Sequence, residues 1–217
     1  MTSQFKDNCE QFINMLLTRK PKRDLRKFNE NKWYESAYST VARPLGVTKK
    51  NQGGYNAWYS VNFNKLKEMI LDLLRRLAPN GTISLNDEIE RIANECNVPF
   101  GIVQKIVNIM IKYIVCNYYG DKGAFDSAVV KANYPWVADE EFVKTLPIPV
   151  DSIVMKSAKR EGAKCRIVGT PESATINGRP WSKINRADYE EFQAEVLRLA
   201  NARGMFPIEY EMEVLWK

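Results

Sequence analysis

The chain has 217 residues, enough for one large domain or two small ones around a sizeable core, and it carries a net charge of +6. It contains no histidine, which removes Ser-His-Asp and Cys-His catalysis and histidine metal sites, so any general acid or base must be Asp, Glu, Lys, Tyr or Cys. The four cysteines, Cys9, Cys96, Cys116 and Cys165, are far apart and form no CxxC pair, so neither a metal site nor a cofactor is expected.

In chain order, residues 5–17 read as an amphipathic helix with Phe5, Cys9, Phe12, Ile13 and Leu16 on one face. Pro21 and the basic run Lys20, Lys22, Arg23, Arg26 and Lys27 end it, and residues 32–42 are a second helical candidate. Residues 44–55, with three glycines and Lys49, Lys50 and Asn51, read as an exposed loop. Residues 56–77 carry the longest helical pattern, and Pro79-Asn80-Gly81 stops it. Ser84 with Asp87 resembles a capping box and predicts a helix over 85–96. A tight turn over 98–101 leads into a buried helix over 102–117.

After a break at 118–123, residues 125–132 and 139–145 read as short helices. Pro147 and Pro149 force an extended segment, and Asp151 is placed to N-cap a helix running to about residue 160. Residues 162–181 read as irregular, with 165–168 as the one plausible strand. Asn185 and Asp188 start a last long helix that ends at Gly204, and residues 206–216 read as one more short helix. The fold class expected is all-α.

No apolar run approaches the roughly 18 residues that cross a bilayer, and residues 1–8 are polar, so a cytoplasmic protein with no membrane partner is expected. The positive charge favours a polyanionic partner, of which nucleic acid is the common one. A second basic cluster, Lys156, Lys159, Arg160, Lys164 and Arg166, follows Asp151 closely and is placed to hold phosphates.

Two runs carry the chemistry. The first is Pro99-Phe100-Gly101-Ile102-Val103-Gln104-Lys105-Ile106-Val107-Asn108; in the helix that follows Gly101 the polar residues Lys105, Asn108 and Lys112 recur at steps of three and four, a single stripe expected to line a cleft. A lysine near the start of an apolar helix is a candidate amine nucleophile. In Val150-Asp151-Ser152-Ile153-Val154, a capping aspartate is held rigidly and can stabilise a developing cation.

These runs resemble the helix–hairpin–helix DNA glycosylases, the superfamily of endonuclease III and the 8-oxoguanine glycosylases. Their hairpin reads Leu-Pro-Gly-Val-Gly-x-Lys-x-x-Asn, and Gly101, Lys105 and Asn108 fall on its first glycine, its lysine and its asparagine. Val150-Asp151-Ser152 falls on the family's Val-Asp-Thr/Ser. Val103 stands where the family has a second glycine, and Ile153 where it has histidine. The lysine-to-aspartate spacing of 46 positions is long, in the direction of the archaeal 8-oxoguanine glycosylases.

The resemblance implies a helical fold with its active site in a cleft between two lobes. One lobe spans about 57–146, and the other spans 1–56 with 147–217. It implies a monomeric DNA glycosylase with AP-lyase activity, acting on double-stranded DNA that carries a damaged or modified base. Lys105 and Asp151 would be catalytic. Gly101, Gln104, Lys156, Lys159 and Arg160 would contact DNA. Tyr134, Trp136, Trp58 and Asn108 would line the base pocket. Two other classes fit the same residues: a helical DNA-binding module without chemistry, and an interaction protein of a phage or bacterial defence system.

Overall fold

The structure, a computed structural model, describes residues 1–19, 25–41, 63–120, 126–170 and 173–215. It is mostly helical, with one small sheet. The helices are α1 (Ser3–Arg19), α2 (Glu30–Ser39), α3 (Asn64–Arg76), α4 (Leu85–Cys96), α5 (Phe100–Tyr119), α6 (Ser127–Asn133), α7 (Glu140–Thr145), α8 (Ser152–Arg160), α9 (Arg186–Asn201) and α10 (Pro207–Tyr210). Short 3-10 turns lie at Pro135–Ala138 and Trp181–Lys183, and a π turn at Glu211–Leu215 follows α10. The loop expected over 44–55, Trp58 and most of the first basic cluster lie outside the described residues.

The centre is α5. Val, Ile and Met fill it, and α1, α2, α4, α6 and the Trp181 turn pack around it. It is long and apolar enough to cross a membrane by length and composition, which the sequence reading overlooked because Lys105, Asn108 and Lys112 interrupt the run. Its side chains are buried on every face, as expected of the core helix of a globular fold. Ser84 caps α4 by accepting from the Asp87 N–H at 3.4 Å, as its spacing to Asp87 predicts. The helix ends on Asn97 in the left-handed region (φ 52°), so three residues suffice to turn α4 into α5.

Residues 162–181 are more ordered than their composition predicts. Strands β1 (Ile167–Val168), β2 (Thr175–Ile176) and β3 (Arg179–Pro180) form an antiparallel sheet in that order. Ile176 pairs with Arg179 across a two-residue turn of Asn177 and Gly178, both at positive φ (50° and 81°). This is the geometry that Asn-Gly favours in tight hairpins, so the signal was present in the sequence. Asn177 and Arg179 tie the hairpin to α9 through Asp188, at 3.0 and 2.8 Å. The hairpin delivers the next residue, Trp181, onto the start of α5.

Candidate active site

The site is assembled from three segments: the first turns of α5, the extended run 147–150 with the start of α8, and the Trp181 turn. Gly101 sets the spacing between the first and third. A Cβ at this position would lie 2.1 Å from the Trp181 carbonyl oxygen, so only glycine lets the two backbones pack this closely. Gly101, expected to contact DNA, is therefore buried beneath the Trp181 peptide and packs against protein.

Gln104 is likewise corrected. Its side chain has no exposure, and it meets Val150 as a neighbouring strand would. Its Nε2 donates to the Val150 carbonyl at 3.1 Å, and its Oε1 accepts from the Val150 N–H at 3.3 Å. Asn108 donates to the Ile148 carbonyl at 3.1 Å and to the Tyr189 hydroxyl at 2.9 Å, so it is a buried fastener and lines no base pocket. From the other side, Gln193 accepts from the Ile148 N–H at 3.1 Å and donates to the Ile148 carbonyl at 2.8 Å. Pro147 and Pro149 bring no N–H to this segment, and the side-chain amides of Gln104, Asn108 and Gln193 satisfy the N–H and carbonyl groups of Ile148 and Val150. The part of the stripe formed by Lys105 and Asn108 is thus covered by the segment that carries the aspartate, while Lys112 turns to Glu211.

Val150 held in this way delivers Asp151 to the start of α8. Its Oδ1 accepts from the Ile153 and Val154 N–H groups, both at 3.0 Å, as the predicted N-cap. Its Oδ2 faces Lys105 Nζ at 3.3 Å. The two oxygens divide the work: one fixes the carboxylate to the helix, the other meets the ammonium. The structure therefore joins the two motif residues across 46 positions of sequence.

The Lys105 side chain is only 9% exposed, because the Trp181 indole lies over it with Nζ 4.2 Å from the ring centre. An ammonium on an indole is worth about 0.5–2 kcal/mol, depending on how dry the contact is. Trp181 itself is half-buried, with part of its surface in solvent. The sequence reading missed it, because it follows a stretch taken as irregular and belongs to neither motif. A hollow of about 360 Å³ lies elsewhere, lined by Phe12, Met15, Lys112 and Met212 among others.

The remaining expected site residues separate clearly. Tyr134 and Trp136 are core residues: the Tyr134 hydroxyl donates to Glu30 at 2.6 Å, and Trp136 Nε1 donates to the Leu74 carbonyl at 2.7 Å. Burial, reinforced by Glu30, pushes the Tyr134 phenol well above its ordinary range. Neither ring can form the base pocket without unfolding its surroundings. Lys159 and Arg160 are exposed on α8, and Lys156 is half-buried beside them. With exposed Ile153, these residues recur at helical spacing along the outward face that begins at Asp151. Among the described residues no cluster of acidic and cysteine side chains has metal-site geometry.

No protein-family model, curated protein or solved structure matches this chain.

Proposed function

We propose that this chain is a DNA glycosylase with AP-lyase activity, built on the helix–hairpin–helix glycosylase plan and acting on duplex DNA with a damaged or modified base. The observation that carries this reading is the 3.3 Å approach of Lys105 Nζ to Asp151 Oδ2. Each group stands at the beginning of its own helix, α5 or α8. The three-residue connection between α4 and α5 agrees with a helix–hairpin–helix element. The basic outward face of α8 suits the phosphates flanking the lesion.

The chemistry follows from the two groups. The target nucleotide is extruded from the duplex at a cost of a few kcal/mol, least where the base is damaged. Lys105, as the free amine, gives its lone pair to the deoxyribose C1′. The C1′–N bond to the base breaks, its electron pair leaves with the base, and the base takes up a proton. Asp151 Oδ2 receives the proton that Nζ loses and stabilises the positive sugar as it forms. Asp151 then returns that proton to O4′ as the C1′–O4′ bond breaks and the nitrogen lone pair forms the Schiff base. Loss of a C2′ proton expels the 3′-phosphate by β-elimination and cuts the strand.

Borohydride trapping on duplex DNA with an abasic site tests this directly. A covalent adduct that forms with the wild type and disappears in Lys105→Ala supports the reading. No adduct, with no excision from a panel of modified-base duplexes, overturns it. A second reading, DNA binding without chemistry, is favoured by one observation, the indole closed over Lys105. Under that reading Lys105→Ala and the wild type bind DNA alike, and neither forms an adduct.

A further inference from the structure

Tyr134 and Trp136 were expected in the pocket and are core residues, whereas among the described residues it is Trp181 whose ring lies over the lysine. Its restraints are unlike those of the other described tryptophans. Trp33 Nε1 donates to the Leu25 carbonyl at 3.1 Å and Trp136 Nε1 to the Leu74 carbonyl at 2.7 Å, and both rings are fully enclosed. Among the described residues the Trp181 indole N–H has no hydrogen-bond partner, and the residue is half-buried. Its backbone, in contrast, is fixed. The carbonyl is wedged against Gly101, the preceding hairpin is bound to Asp188, and the following Ile184 is buried. The peptide is anchored while the side chain is held only by the ammonium and by van der Waals contact. With the backbone fixed, the side chain's own χ angles are the freedom left by which the ring, packed at the edge of the core, could leave Lys105.

We propose that Trp181 is a substrate-contacting gate: its indole leaves Lys105 Nζ when the extruded nucleotide arrives, and then carries the base on its face. Any nucleobase has a π face for an indole to stack on, and a stack directly beside the nucleophile presents C1′ to Nζ. The closed form keeps water and small carbonyl compounds from the amine until a nucleotide displaces the ring. The base-carrying half rests on the glycosylase reading above; the cover over the lysine does not.

The test has two arms on the full chain. In the first, without DNA, the protein is methylated with formaldehyde and cyanoborohydride, and modification of Lys105 is followed by mass spectrometry against exposed Lys159 and Lys164. In Trp181→Ala the Lys105 rate rises about tenfold relative to these references, and in Trp181→Phe it stays near the wild type, because a ring still covers the amine. An unchanged Lys105 rate in Trp181→Ala, with circular dichroism and melting intact, overturns the gate. In the second arm, Trp181→Ala traps abasic DNA several-fold faster but excises a base about tenfold more slowly, since only the second substrate needs the stack. Equal loss of both activities overturns the stacking role. A wild type inert on both duplexes sinks the base-carrying half together with the glycosylase reading, and the methylation arm still decides the cover.

Discussion

Gly101 and Gln104 hold the site together from beneath. Gly101→Ala forces a methyl group against the Trp181 carbonyl, which can yield only by lifting the turn that carries the indole. Overpacking of this kind costs about 1–3 kcal/mol, and it should expose Lys105 to methylation as Trp181→Ala does. Gln104→Ala leaves both backbone groups of Val150 without their amide partner. Each buried orphan costs about 1–3 kcal/mol, so urea unfolding should show a loss of about 2–6 kcal/mol, with any surviving activity reduced because Asp151 is no longer fixed. Lys105, Gly101 and Asp151 could be singled out from sequence because their types and spacing form motifs. The role of Gln104 could not, because an amide that pairs with a backbone 46 positions away looks like any polar residue on a helix. Trp181 escaped for a similar reason: its partner is a cation on another element, and no local periodicity marks such a contact.

The helix α8 separates structure from chemistry within one side chain. Asp151→Ala removes both the cap and the charge, and the cap alone is worth about 1 kcal/mol. Asp151→Asn keeps a capping oxygen and loses the charge facing Lys105. The expected result is near-wild-type melting for Asn, a lower melting temperature for Ala, and impaired adduct formation in both. If stability falls equally in the two variants, the capping account is wrong. Further along α8, Lys159→Ala and Arg160→Ala should weaken DNA binding on all sequences alike, and each should reduce the salt slope by about one. The order and type of the helices were legible because their apolar spacing and caps (Ser84, Asp151, Asn185) are local signals. Of the strands only β1 was read, within 165–168; β2 and β3 were not, since two-residue strands have no periodicity, although Asn177-Gly178 was a sufficient turn signal.

Across the molecule, charge is managed by pairing. Lys112 and Glu211, both buried, form an ion pair between α5 and the π turn after α10. Removing one partner strands a buried charge, so Lys112→Met should cost about 3–5 kcal/mol in chemical denaturation, and the double variant Lys112→Met/Glu211→Leu should recover much of it. Several surface carboxylates sit below their ordinary range: Glu88 through Arg91 and Arg76, Glu190 through Arg186, Glu195 through Arg198. In the window below their ordinary values the unfolded chain binds more protons than the folded one, so the stability they contribute is present above that window and is lost as pH falls through it. Burial raises Glu209 instead, so in the window above the ordinary glutamate value its contribution opposes folding as pH rises. With several lowered groups against one raised, thermal melts should show a falling midpoint on acidification below the ordinary carboxylate range.

The Asn177-Gly178 turn gives the molecule a chemical lifetime. An exposed asparagine before glycine can lose ammonia when the glycine nitrogen attacks its side-chain carbonyl, and hydrolysis of the resulting ring leaves a carboxylate, part of it on a lengthened backbone. At position 177 that new charge would face Asp188 and Glu191, the two acids its amide now bonds. Repulsion there would loosen the hairpin that presents Trp181, so stored protein should uncover Lys105 as it ages, and a peptide map beside the methylation assay would follow both changes in the same sample.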